Sequence, residues 1–110
     1  MADPVSYDDF AKLDLRVAKI LEARPHPNAE RLMLLQVDVG DEQKQIVAGI
    51  RQHYTAEQLI GKLIVVVNNL APVMLRGEAS HGMLLAATCG EKVVVLTPDD
   101  PDCTAGARVK

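Results

Sequence analysis

Aromatic side chains are nearly missing from this chain: there is no tryptophan, and Tyr7, Phe10 and Tyr54 make up the whole set. Proteins that hold extended single-stranded nucleic acid stack successive bases on aromatic platforms. With Phe10 and Tyr54 needed for packing, almost no platform remains. Cysteine is scarce too. Cys89 and Cys103 lack Cys-x-x-Cys spacing and read as two reduced thiols, Cys89 as a small core residue. His26, His53 and His81 are too scattered for a recognisable metal site, so neither a metal nor a cofactor is expected. No apolar run approaches the roughly 18 residues of a membrane span, and Met1-Ala-Asp-Pro4 lacks the basic and apolar regions of a signal peptide. The expectation is a cytoplasmic protein without a membrane partner.

Positive charge is also in deficit, with 12 Lys and Arg against 15 Asp and Glu, a net −3. Taken whole, that balance opposes nucleic-acid binding, which basic footprints drive. The placement of the charges matters more than their total. Asp3, Asp8, Asp9, Asp38, Asp41, Glu42, Asp99, Asp100 and Asp102 lie in three short stretches without Lys or Arg. Acid gathered there can coexist with a basic face elsewhere, although a mixed solvated surface has the same totals.

What is present is core. Residues 1–110 are long enough for one domain and 48% of them are hydrophobic. Ser6 and Asp9 have the spacing of a capping box opening one or two helical turns through Phe10 and Lys12. Leu13, Leu15 and Val17 then alternate with Asp14 and Arg16, after which the apolar phase slips by one to Ala18 and Ile20. Such a slip turns side chains to the wrong face unless a bulge absorbs it, so a long bent strand over 13–24 with a bulge near Val17 or Ala18 is predicted. Pro25-His-Pro-Asn28 is a turn. Strands follow at 31–39, with Leu35, Val37 and Val39 inward, and at 44–50, joined by a hairpin at 40–43. The clearest helix has Thr55 as N-cap, Gln58 at N3, Tyr54 and Leu59 as a hydrophobic staple, and Gly61 as its stop. Further strands are predicted at 62–68 and 83–87, with an extended piece at 92–96.

Five short strands with one short helix between the third and fourth is the order of an OB-fold, an all-β, five-stranded, partly open Greek-key barrel. Another small barrel, of the SH3 type, is the alternative. OB barrels bind oligomers across the second and third strands and between the first-to-second and fourth-to-fifth loops, here residues 25–30 and 68–82.

The second of those loops breaks sharply with its neighbours. Leu63-Ile-Val-Val-Val67 leads in, Met83-Leu-Leu-Ala-Ala87 leads out, and between them stand Pro72, Gly77, Gly82, amides, hydroxyls, Arg76 and His81. A solvated connection with glycines for turning would read the same. Catalysis finds little support: Ser80 and His81 are adjacent but point apart, no third member is marked, and Cys89 has no His beside it. Binding is the better account. Arg76 carries a planar fork suited to phosphate, Asn69 and Ser80 can hydrogen-bond backbone or ribose 2′-OH, and the Gly82 peptide can donate to an anion. Arg16, pointing outward by its alternation, Lys19 and Arg31 would widen the cationic surface, though Arg16 has Asp14 and Glu30 as candidate partners. Without aromatic platforms, such a chain reads phosphate geometry and folded shape, which favours structured RNA.

The run Asn69-Leu-x-Pro72, then Arg76-Gly77, then Ser80-x-Gly82-Met83 resembles the hallmark of the tRNA-binding domain family. The likeness continues through Asp9-Phe-x-Lys-Leu-Asp-Leu-Arg-Val17, His26-Pro-Asn-Ala-Glu-Arg-Leu32, Gln45-Ile-Val-x-Gly-Ile50 and Leu59-Ile-Gly-Lys62. Matched segments in the right order carry weight that one alone would lack. The resemblance implies a non-catalytic module that binds the outer corner of tRNA without discriminating among species, either free-standing or appended to the C-terminal end of the methionyl-tRNA synthetase catalytic chain. It adds Met83 to the contact residues. It implies a homodimer in which an extension over about 91–110 packs against the partner, beside a barrel over about 10–88. A protein-interaction or chaperone-like module on the same barrel is the second function it allows. The family often carries Lys where this chain has Arg31, Ala71 and Met74, so the loop is less basic than usual.

Overall fold

The computed structural model describes residues 2–110; Met1, part of the stretch in which no leader is expected, lies outside them. Ser6 caps α1 (Tyr7–Ala11), its hydroxyl accepting from the Asp9 N–H, and Thr55 with Gln58 forms a complete capping box on α2 (Ala56–Leu59). Around them run β1 (Leu15–Pro25), β2 (Met33–Asp38), β3 (Gln43–Ala48), β4 (Leu63–Val67), β5 (Val73–Leu75), β6 (Glu78–Ser80), β7 (Met83–Leu84), β8 (Ala86–Cys89), β9 (Lys92–Val95) and β10 (Arg108–Val109). No helix is long and apolar enough to cross a membrane among the described residues.

The strand order β3-β2-β1-β4-β7, all antiparallel, is a nearly closed OB-like barrel. Its core gathers Ala18 and Ile20 of β1, Leu35 and Val37 of β2, Ile46 of β3, and Ile64 and Val66 of β4. Leu59 of α2 plugs one end, with Tyr54 packed beside this core as a staple should be. Closure of the seam uses a side chain. His81 N–H donates to the Gln45 carbonyl (2.9 Å), and the Val47 N–H donates to Ser80 Oγ (3.0 Å), which itself donates to the Gly82 carbonyl (2.9 Å).

Several expectations are corrected. β1 is long and bent, but its bulge falls between Ile20 and Glu22; from Leu15 to Lys19 the register against β4 is unbroken. Val17 and Ala18 are both buried because the strand is covered on both faces: Ala18 points into the core, while Leu15 and Val17 lie on the opposite face. The fifth strand is broken at Leu85 into β7 and β8, and β8 leaves the barrel to pair with β9. The loop over 68–82 holds a hairpin, β5–β6, that alternation did not show. Cys89 is exposed, and Phe10, at 38% exposure, lies against Tyr7 (ring centroids 6.4 Å apart) rather than in the core.

The C-terminal segment is bound to the barrel. β10 pairs with the start of β1, and backbone bonds run from Gly106 N to Val17 O (2.7 Å) and from Val17 N to Ala107 O (2.8 Å). Arg16 joins this end together, donating to Asp14, to Asp41 and to the Val39 carbonyl, while Arg108 approaches Asp14. The Arg16 hydrogen bond holds the Asp14 carboxyl below the usual carboxylate range; burial opposes it, and the Asn68 amide and the charges of Arg16 and Arg108 reinforce it. Because the folded state binds that proton less readily than the unfolded state, the network's stability is fully present above about pH 5. It is lost as pH falls below about 3.9 toward the lower folded value. Thermal melts between pH 6 and 3 should show this loss, and Asp14→Asn should flatten it.

Candidate nucleic-acid interface

The β5–β6 hairpin decides which residues meet. It lies along the free edge of β3, anchored by Gln45, whose amide donates to the Ala79 carbonyl (2.8 Å) and to Glu78 (3.2 Å). Its two-residue turn, Arg76-Gly77, has both residues at positive φ, +54° and +90°, the backbone of a type I′ turn. Arg76 is the only non-glycine among the described residues with positive φ, a conformation that costs an L-residue roughly 1 kcal/mol.

The hairpin carries Arg76 to the loop between β1 and β2. There Arg76 and Arg31 line one open cleft of about 570 Å³ with Asn28, Ala29, Glu30 and Leu32. Both arginines are exposed, and neither makes an ion pair among the described residues. Below the cleft Arg51, which sequence reasoning missed, donates through Nη1 to the carbonyls of His26 (3.3 Å) and Ala29 (3.1 Å). Glu30 lines the cleft with Arg31 and Arg76, while the acidic turn sits elsewhere. Asp41 and Glu42 lie in the β2–β3 turn, where Asp41 accepts from Arg16 next to Asp14, at the far end of β1 from His26 and about 30 Å away along a strand of this length; Asp38 faces Lys19 midway.

The remaining residues singled out from the sequence do not join this cleft. Arg16 does not point outward: its side chain is 19% exposed and held in the Asp14 network. Lys19 is exposed on a different face, beside Leu63, Pro101 and Cys103. Asn69 spends both ends of its amide on the segment before β1, Oδ1 accepting from the Asp14 N–H (2.8 Å) and Nδ2 donating to the Lys12 carbonyl (2.7 Å), like one more rung of a sheet. Ser80 is 2% exposed and Gly82 is buried, so the barrel seam takes the polar groups expected to face RNA. A Cβ on Gly82 would stand 3.0 Å from the Val67 carbonyl, so the glycine is there for close packing. Met83, 48% exposed, borders an apolar groove with Ala86 and Val93. These burials went unseen because polar residues in strand-like positions find partners far along the chain, which local alternation does not encode.

Comparison with known proteins agrees with this architecture. Residues 15–108 match the family described as "Putative tRNA binding domain". A methionine–tRNA ligase of Thermococcus kodakarensis is 53% identical over 106 residues, which are 96% of this chain and 14% of that relative, so the chain spans about a seventh of its length. The crystal structure of a MetRS-related protein from Pyrococcus horikoshii superposes with a TM-score of 0.91 at 32% identity, covering 99% of this chain and 100% of the other. The chaperone CsaA of Bacillus anthracis gives 0.88 at 30% identity, covering 98% and 100%.

Proposed function

Since the chain belongs to the tRNA-binding domain family, we propose that it is a non-catalytic, structure-specific tRNA-binding module, with the Arg31–Arg76 cleft as the centre of contact. It acts in the cytoplasm, free-standing or appended to a methionine–tRNA ligase chain. The observation that carries the reading is the convergence of two unpaired arginines, from separate loops, at the end of the barrel remote from its acidic turn. A guanidinium fork pairs with phosphate through parallel charge-assisted bonds, and a cleft whose lining includes no aromatic side chain suits a folded backbone better than a stacked single strand. Arg76 supports this from strain: a turn that glycine or asparagine fills more readily holds an arginine instead, and such outliers cluster at functional positions.

In a gel-shift titration, mixed tRNA should bind more tightly than a duplex RNA and much more tightly than a single-stranded oligonucleotide of equal length. Equal or stronger binding to the single strand would sink the shape-reading claim. Arg76→Asn should weaken tRNA binding by about 1.5 kcal/mol, roughly tenfold, uniformly across tRNA species. The same change should leave the melting temperature unchanged or raised, because asparagine tolerates the left-handed region.

Homodimerisation forms part of the proposal. Val94 and Leu96, two residues apart and so on one face, are 39% and 41% exposed on or beside the β8–β9 hairpin, an apolar strip on a hairpin that pairs with no other strand among the described residues; Met83, 48% exposed, borders the neighbouring groove with Val93. A second copy covering it would join two basic clefts into one surface. The strip also supports the second reading, a chaperone-like role such as the name of CsaA implies. A peptide probe that competes with self-association but not with tRNA would favour that reading.

A further inference from the structure

We infer that His26 is the latch that fixes the Arg76 hairpin over the first loop, and so a positioning residue for RNA contact; this rests on the reading that the Arg31–Arg76 cleft takes tRNA. His26 stands between two exposed prolines in a polar turn, yet it is 1% exposed. Its ring bridges segments 49 residues apart. Nδ1 lies 2.9 Å from the Asn28 N–H and Nε2 lies 2.9 Å from the Leu75 carbonyl. A backbone N–H can only donate and a carbonyl can only accept, so one arrangement fits: a neutral imidazole with a bare Nδ1 and its proton on Nε2.

The two bonds differ in what they hold. The loop has other supports, with His26 N–H bonded to Leu32 O (3.0 Å), Arg51 N–H to Arg31 O (3.3 Å), and the Arg51 guanidinium beneath. The hairpin tip has few. Among the described residues β5 pairs only with β6, Val73 and Met74 are exposed, and the bonds from Gln45 and Val47 hold β6 and not β5. The Leu75 carbonyl belongs to the peptide that leads into Arg76, so the bond from Nε2 sets the plane from which the Arg76 side chain departs. It presents that arginine beside Arg31, with less freedom left to lose when RNA binds.

Two amides separate the bonds. Glutamine places a donor where Nε2 stands, whereas asparagine places an acceptor where Nδ1 stands and is too short to reach Leu75. Hydrogen exchange of the hairpin amides 73–80, without RNA, and mixed-tRNA affinity should be measured for His26→Gln and His26→Asn in the full chain. Each should be made with and without Arg76→Ala. His26→Gln should keep exchange protection and hold affinity within about twofold, while His26→Asn should lose about tenfold in hairpin protection and about fivefold in affinity. In the Arg76→Ala background His26→Asn should cost less than about twofold, because a latch acts only through what it positions. Equal behaviour of the two amides, or an asparagine effect undiminished without Arg76, would overturn the inference. If the parent chain fails to bind tRNA, the functional reading falls, while the exchange contrast still decides the latch.

Discussion

Gly106→Ala should destabilise the fold by about 2–4 kcal/mol and release the C-terminal segment. Gly106, at φ +92°, crosses Gly40, at φ +103° in the β2–β3 turn, backbone against backbone. A Cβ on Gly106 would lie 2.8 Å from Gly40 Cα and 3.2 Å from the Val39 carbonyl, and one on Gly40 would lie 2.7 Å from Gly106 Cα. Left-handed strain alone accounts for about 1–2 kcal/mol. The remainder comes from parting the chains, which strains the two bonds to Val17 and the approach of Arg108 to Asp14. Gly90 supplies the control: its φ is +63°, but a Cβ there would meet nothing within 4 Å. Denaturant unfolding should therefore show a clearly smaller loss for Gly90→Ala. Equal losses would mean that the crossing contributes nothing beyond strain. Gly40→Ala combined with Gly106→Ala should cost less than the two separately, since either alone already opens the contact.

That crossing shows where sequence reading stops. The caps at Ser6 and Thr55 and the inward face of β2 are legible because each is encoded within a few residues, by a hydroxyl at a fixed offset or an apolar alternation, whereas the phase slip at Val17 and Ala18 signals burial on both faces and not a bulge. Gly40 and Gly106 look like ordinary turn glycines, because only the folded chain brings them together. The β5–β6 hairpin escapes notice for a related reason. Its turn is Arg-Gly rather than Asn-Gly, and its strands are three residues each, too short for alternation to register. Arg31 and Arg76 can be singled out by chemistry and by family resemblance. Their meeting depends on the hairpin reaching His26, and that in turn on Ser80 closing the seam. The family resemblance implies a C-terminal extension that serves as a dimerisation piece, but Val95 is 6% exposed within the core cluster and residues 106–109 bond to β1. Removing everything after Gly90 would therefore damage the barrel itself.

Substitution at exposed positions is the cleaner test of the proposed dimer. Val94→Gln with Leu96→Gln should convert a sedimenting dimer to a monomer, because symmetry puts four amides into an apolar seam where each lacks a partner. Both residues are near 40% exposed in the single chain, so its own stability should change by about 0.5 kcal/mol or less per site. Neither glutamine alters the net charge, so a change in salt dependence reports assembly alone. One cleft of this modest basicity reaches about three phosphates and two joined clefts about six; with a slope near −0.9 per phosphate, raising salt from 50 to 200 mM should cost the dimer on the order of a thousandfold in affinity. The monomer should lose only about the square root of that, roughly fortyfold. Halving the slope together with the mass would establish a composite surface. A variant that stays dimeric would show that the Val94–Leu96 strip is not the seam, and a monomer with the full slope would show that each cleft binds RNA on its own.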